Sequence, residues 1–128
     1  MILANIDNQI KSSTQSKYYA NVIAVSSFKP STANKTQIAN LNLNDTFEFL
    51  FITINKNISV SNYPLDNWKS GDCFILPKGS TITDYSNIGD GSKVQLNFKF
   101  DSTNAILSTQ GYGGVTYTNI DIGVIAFK

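Results

Sequence analysis

The sequence predicts an antiparallel β-sandwich of jelly-roll type, on three observations. The first is Lys93–Phe100, where Val94, Leu96, Phe98 and Phe100 alternate strictly with Gln95, Asn97 and Lys99. That is the period-2 pattern of a half-buried strand. The second is a series of short apolar runs recurring roughly every 8–12 residues, separated by Gly, Pro, Asn and Asp. The third is composition: β-branched residues are plentiful, whereas Glu, Arg and Ala, three good helix formers, are scarce.

In chain order, Leu3, Ile6 and Ile10 follow the 3-then-4 spacing of an a/d seam, which breaks at Ser13 and Lys17. So short a seam cannot hold helices together alone. Residues 1–16 are therefore expected to be a stem and connector. The alternatives are a short lone N-terminal helix or an edge strand over Ile2–Ile6. Residues 17–128 are the predicted sandwich domain. Its first run is Tyr18–Phe28, with Tyr19, Ile23 and Val25 on one side and Tyr18, Val22 and Phe28 on the other. Gln37–Leu43 follows a loop at Lys29–Lys35. Thr46–Ile54 is apolar on both parities, which predicts a strand buried on both faces. On that reading Phe49→Ala removes about 3–5 kcal/mol and unfolds a marginal domain. Ile58–Val60, Cys73–Leu76 and Thr81–Tyr85 are short strands, the last two joined through Pro77-Lys78-Gly79-Ser80. Asp101-Ser102-Thr103-Asn104 has turn chemistry, so Lys93–Phe100 and Ala105–Thr109 form a hairpin with a four-residue loop. Val115–Tyr117 and Ile120–Phe127 end the chain inside a sheet.

At 128 residues the chain fits one domain burying roughly two-thirds of its unfolded surface. The ten basic residues are all lysine, and the net charge is +1. Without arginine there are no bidentate contacts to phosphate or guanine, which argues against sequence-specific nucleic-acid binding. Without histidine the usual general base and commonest metal ligand are missing. Cys73 alone forms neither an internal disulfide nor a zinc site, and within Cys73-Phe74-Ile75-Leu76 it reads as a small buried hydrophobe. No apolar run reaches the roughly 18 residues needed to span a bilayer, so no membrane insertion is expected. The first residues lack the basic and apolar regions of a signal peptide.

No motif points to a cofactor. Ser26-Ser27-Phe28-Lys29 matches S-x-x-K, but its companion motifs are absent and the chain is too short for that fold. Asp84, Asn87 and Asp90 offer oxygens, but not at EF-hand spacing. Gly111-Tyr112-Gly113-Gly114 completes no phosphate-binding motif and reads as turn glycines. The Asn-x-Ser/Thr triplets at Asn34, Asn44 and Asn57 are expected by frequency in so Asn- and Thr-rich a chain.

The most informative aromatic is Trp68, in the polar stretch Tyr63-Pro64-Leu65-Asp66-Asn67-Trp68. A flat apolar ring beside Asp and Asn oxygens suits a sugar, stacking on its C–H face while the oxygens accept from hydroxyls. The other reading is that Trp68 folds back to cap the sandwich. Tyr112 has the same two readings. The candidate ligand-binding residues are Trp68, Asp66, Tyr63 and Tyr112. An enzymatic alternative would need paired carboxylates such as Asp66 and Asp72.

Three features together resemble the receptor-binding head domains of tailed-phage tail or baseplate fibres. They are the Leu3, Ile6, Ile10 seam leading into β structure, the order Ile75-Leu76-Pro77-Lys78-Gly79 then the Val94–Leu107 hairpin, and the closing strand Ile120–Phe127. The resemblance implies a non-enzymatic homotrimer on a virion surface, in contact with other virion proteins and adsorbing to host cell-surface saccharide. Several weak sites would gain strength by engaging together. The alternative is a structural virion or capsid decoration protein that binds copies of itself and no small ligand.

Overall fold

A computed structural model of the chain describes residues 18–30, 35–61, 63, 65–88, 93–110 and 115–128. The stem or helix expected over residues 1–16 lies outside the described residues, as does the glycine-rich loop containing Tyr112. Nine strands are described, all paired antiparallel: β1 (Tyr18–Phe28), β2 (Thr36–Asn42), β3 (Phe49–Ile54), β4 (Ser59–Val60), β5 (Cys73–Pro77), β6 (Ser80–Asn87), β7 (Lys93–Phe100), β8 (Asn104–Gln110) and β9 (Tyr117–Phe127). They form two sheets. The first has the order β1-β9-β3-β5, with β4 extending the β3 side of β9, and the second has the order β2-β8-β7-β6. The first strand, β1, lies beside the last, β9, in one sheet, and β2 lies beside β8 in the other.

The β7–β8 hairpin forms as its alternation dictates. Val94, Leu96, Phe98 and Phe100 are buried and face Ala105, Leu107 and Thr109 across the pair. The Asp101 carboxylate closes the turn, accepting from the backbone N–H of Thr103 (3.1 Å) and Asn104 (2.7 Å). Ser102, at φ 82°, links this tip to the other sheet. Its hydroxyl donates to the Phe47 carbonyl at 2.8 Å, and its carbonyl accepts from Phe47 N–H at 2.9 Å. Phe47 thereby enters the core just before β3 begins.

The two sheets meet through Leu50, Ile52, Ile54, Leu76, Ile122 and Val124 from the first and the hairpin's inner residues from the second. The Phe74 and Phe98 rings pack across the interface with centroids 5.3 Å apart. The turn Pro77–Ser80 carries the chain from one sheet to the other, since β5 pairs with β3 whereas β6 pairs with β7.

Two expectations are corrected here. The run Thr46–Ile54 is not buried on both faces: Leu50, Ile52 and Ile54 point inward, but Phe49 is 51 % exposed. Cys73 is likewise exposed. The cause is common to both, because no described part of the chain covers the outer face of the first sheet. Across its four strands, Tyr18, Phe127, Phe49 and Pro77 form one outward row, and Ala20, Ile125, Phe51 and Ile75 form the next. The third row is Val22, Gly123, Thr53 and Cys73. In β1, Tyr18 and Val22 are exposed as one side of the alternation, while Phe28 of the same parity packs against the core.

Candidate functional site

Between β4 and β5 the chain runs irregularly and closes one end of the sandwich with Trp68. Its backbone is left-handed at φ 64°, a region that costs a bulky L residue about 1–2 kcal/mol. The indole is fully buried, which offsets that strain. Its Nε1–H donates to Asp84 Oδ2 at 2.9 Å, its carbonyl accepts from Ile58 N–H at 3.0 Å, and its ring stacks on Tyr117 with centroids 6.3 Å apart. Both ring faces are therefore covered. Of the two sequence readings, the structure places Trp68 as the cap of the sandwich, and a buried indole offers no face to a sugar.

Tyr117 lies beneath it, also fully buried. Burial pushes its phenol up to about 12, although hydrogen bonding with the Thr109 side chain and the Gln95 backbone opposes the rise. At the opposite end, desolvation acts to raise the Asp101 carboxyl, but the N–H and side-chain bonds of Asn104 and Thr103 together outweigh it. The net shift is below the usual carboxylate range.

The other expected residues separate. Asp66 stays at the surface, where its Oδ2 accepts from Asn87 Nδ2 at 2.8 Å. Its neighbour Asn67 is pinned to β6, donating through Nδ2 to the Tyr85 carbonyl (2.5 Å) and through its backbone N–H to Ser86 Oγ (3.0 Å). Tyr63 is 45 % exposed and held by a backbone bridge to Val60. Tyr112 lies outside the described residues. Asp72, the second carboxylate of the enzymatic alternative, accepts from Lys69 N–H at 2.9 Å. Among the described residues no three His, Cys, Asp or Glu side chains come together as a metal site, and Asp90 lies outside them.

What the structure brings together instead is the outer face of the second sheet. Register places Tyr85, Gln95 and Gln110 in one row, and Thr83, Asn97, Ser108 and Gln37 in the next. Gln95 Nε2 donates to Gln110 Oε1 at 2.9 Å, while Gln95 Oε1 accepts from Asn97 Nδ2 at 3.2 Å. Thr83 Oγ1 donates to Asn97 Oδ1 at 2.6 Å. These bonds cover Asn97, which is 3 % exposed, and fix the orientation of the two glutamines. Each primary amide offers two donors and two acceptor lone pairs, so Gln95 and Gln110 retain capacity beyond the bonds they make here. Tyr85 stands beside them 52 % exposed, flanked along β6 by Asn87 and its partner Asp66.

The sequence reasoning missed Tyr85, Gln95 and Gln110. A signal existed: Gln95 is on the polar side of the Lys93–Phe100 alternation, and Tyr85 shares the outward parity of Thr81 and Thr83. Comparison with protein-family models, curated proteins and solved structures returned no match.

Proposed function

We propose that this chain is a non-enzymatic saccharide-binding domain serving host adhesion at a virion surface, in line with the fibre heads its sequence resembles. The observation that carries the reading is the Tyr85 platform. A half-exposed aromatic ring sits in register with two oriented glutamines and next to the Asp66–Asn87 pair. A pyranose needs an apolar plate for its C–H face and amide or carboxylate groups for its hydroxyls, and this surface offers both. The lysine at the platform's edge, Lys93, pairs across the strands with Asn87 and would favour sugars carrying a carboxylate.

Binding of the full chain to a glycan array and to intact cells tests the reading. Tyr85→Ala and Gln110→Ala are each expected to weaken binding about tenfold, or about 1.4 kcal/mol, with the circular dichroism spectrum retained. Binding unchanged in both variants, or no binding to any glycan or cell, refutes it.

The structural-subunit alternative is favoured by a different observation, the apolar face of the first sheet that no described residue covers. Cell binding separates the two readings, because a purely structural subunit would show none.

A further inference from the structure

We infer that the outer face of the β1-β9-β3-β5 sheet is a self-association surface, on which a second copy of this chain packs its identical face about a two-fold axis. The inference does not rest on saccharide binding. It rests on a face whose three rows spanning all four strands carry, besides apolar groups, only Thr53, the Tyr18 hydroxyl and the Cys73 thiol.

The exposures are large. Ile75 is 65 % exposed, Val22 and Phe49 51 %, Tyr18 50 % and Phe127 44 %. An aromatic side chain carries about 150–250 Å², so each half-exposed ring leaves about 100 Å² to water. With Ile75 and Val22 the total is about 500 Å² per chain, at the upper end of the largest patch on an ordinary monomer. Two such faces bury about 1,000 Å² together, the level a specific interface must reach. Sheets pack face to face about 10 Å apart with side chains interleaved, and a sheet of four strands is wide enough to do so.

The occupant is a copy because of charge and symmetry. The face has no charge within the three rows that span all four strands, with which to recognise an acidic or basic partner. At its rim the charges are matched within one chain: Lys78 with Glu48 at 3.0 Å, Lys128 with Asp45 at 2.6 Å, and Lys56 with Asp121 at 3.7 Å. An identical face therefore meets neither repulsion nor an orphaned ion. A single self-complementary patch closes with two-fold symmetry, whereas a three-fold ring requires two different surfaces on each chain. The axis passes near Phe51 and Ile125, at the middle of the patch.

The test uses the full chain under reducing conditions, by light scattering behind a sizing column and by the rate at which maleimide labels Cys73. The expected mass is twice 14.1 kDa. Labelling of the wild-type chain should slow about tenfold as concentration rises and dimer replaces monomer. Ile75→Lys and Phe49→Glu, at positions exposed in the single chain, should return the mass to 14.1 kDa and restore fast labelling. Asn40→Lys on the other sheet should leave the dimer intact. A wild-type mass of 14.1 kDa at every concentration overturns the inference. Such a monomer with Cys73 slow to label also does so, since the chain's own N-terminal residues would then cover the face. A trimer, or a dimer surviving both charge substitutions, overturns the two-fold geometry.

Discussion

Removing the Trp68 side chain should be among the most damaging single changes available in this chain. The indole is fully buried, stacks on Tyr117 and bonds Asp84 at 2.9 Å. Trp68→Ala opens a cavity the size of that ring at the end of the sandwich and should cost about 3–5 kcal/mol. A domain of this size has about 5–15 kcal/mol in total, so the variant should be close to unfolded. Trp68→Phe keeps most of the apolar contact but removes the donor to Asp84. A hydrogen bond to a charged group is worth about 1.5–3 kcal/mol, and the remainder of the loss is volume. Asp84→Asn retains an acceptor and should cost less than Trp68→Phe. Urea unfolding followed by far-ultraviolet circular dichroism gives the midpoints. A double-mutant cycle between Trp68→Phe and Asp84→Ala then isolates the pair, which should show coupling well above the roughly 0.5 kcal/mol of independent sites. An unchanged midpoint for Trp68→Ala, or additive effects in the cycle, would refute the argument that this residue closes the core. Trp68→Phe should still bind glycan if Tyr85 is the stacking residue, which separates the structural aromatic from the functional one.

Two other outcomes follow from burial. Phe47→Ala should cost about 3–5 kcal/mol, while Phe49→Ala, two residues on, should change the stability of the isolated chain by about 1 kcal/mol or less. Thermal melts of the two variants in the monomeric Ile75→Lys background check this. Tyr117 should make the protein alkali-sensitive. Its folded value of about 12 lies above the ordinary tyrosine value of 10.0, so the native state keeps a proton that the unfolded chain releases. The stability from that phenol is complete below pH 10 and is lost as pH rises towards 12. The unfolding free energy obtained from denaturant titrations should fall over that window in the wild type, by up to about 2–3 kcal/mol, and fall less in Tyr117→Phe.

By itself the sequence determined the strands and their local geometry. Val94, Leu96, Phe98 and Phe100 could lie on one side only in an extended chain, and Asp101–Asn104 could close that strand into a hairpin through bonds two or three residues long. These interactions are local, so spacing reveals them. Covering is not local. Phe47–Ile54 is apolar on both parities, and period 2 cannot distinguish a strand covered on two faces from one whose outer face awaits a partner. Only the tertiary structure decided that Phe49, Ile75 and Cys73 share a face that no described residue covers. Trp68 shows the same limit in the opposite direction, since a polar neighbourhood in sequence said nothing of Asp84 and Tyr117 enclosing the ring. The candidate site was hidden for a related reason. Tyr85, Gln95 and Gln110 become neighbours through the registers of β6 with β7 and β7 with β8. Registers are set by how whole strands bury their inner faces against the opposite sheet, a property of the assembled sandwich that no single stretch of chain contains.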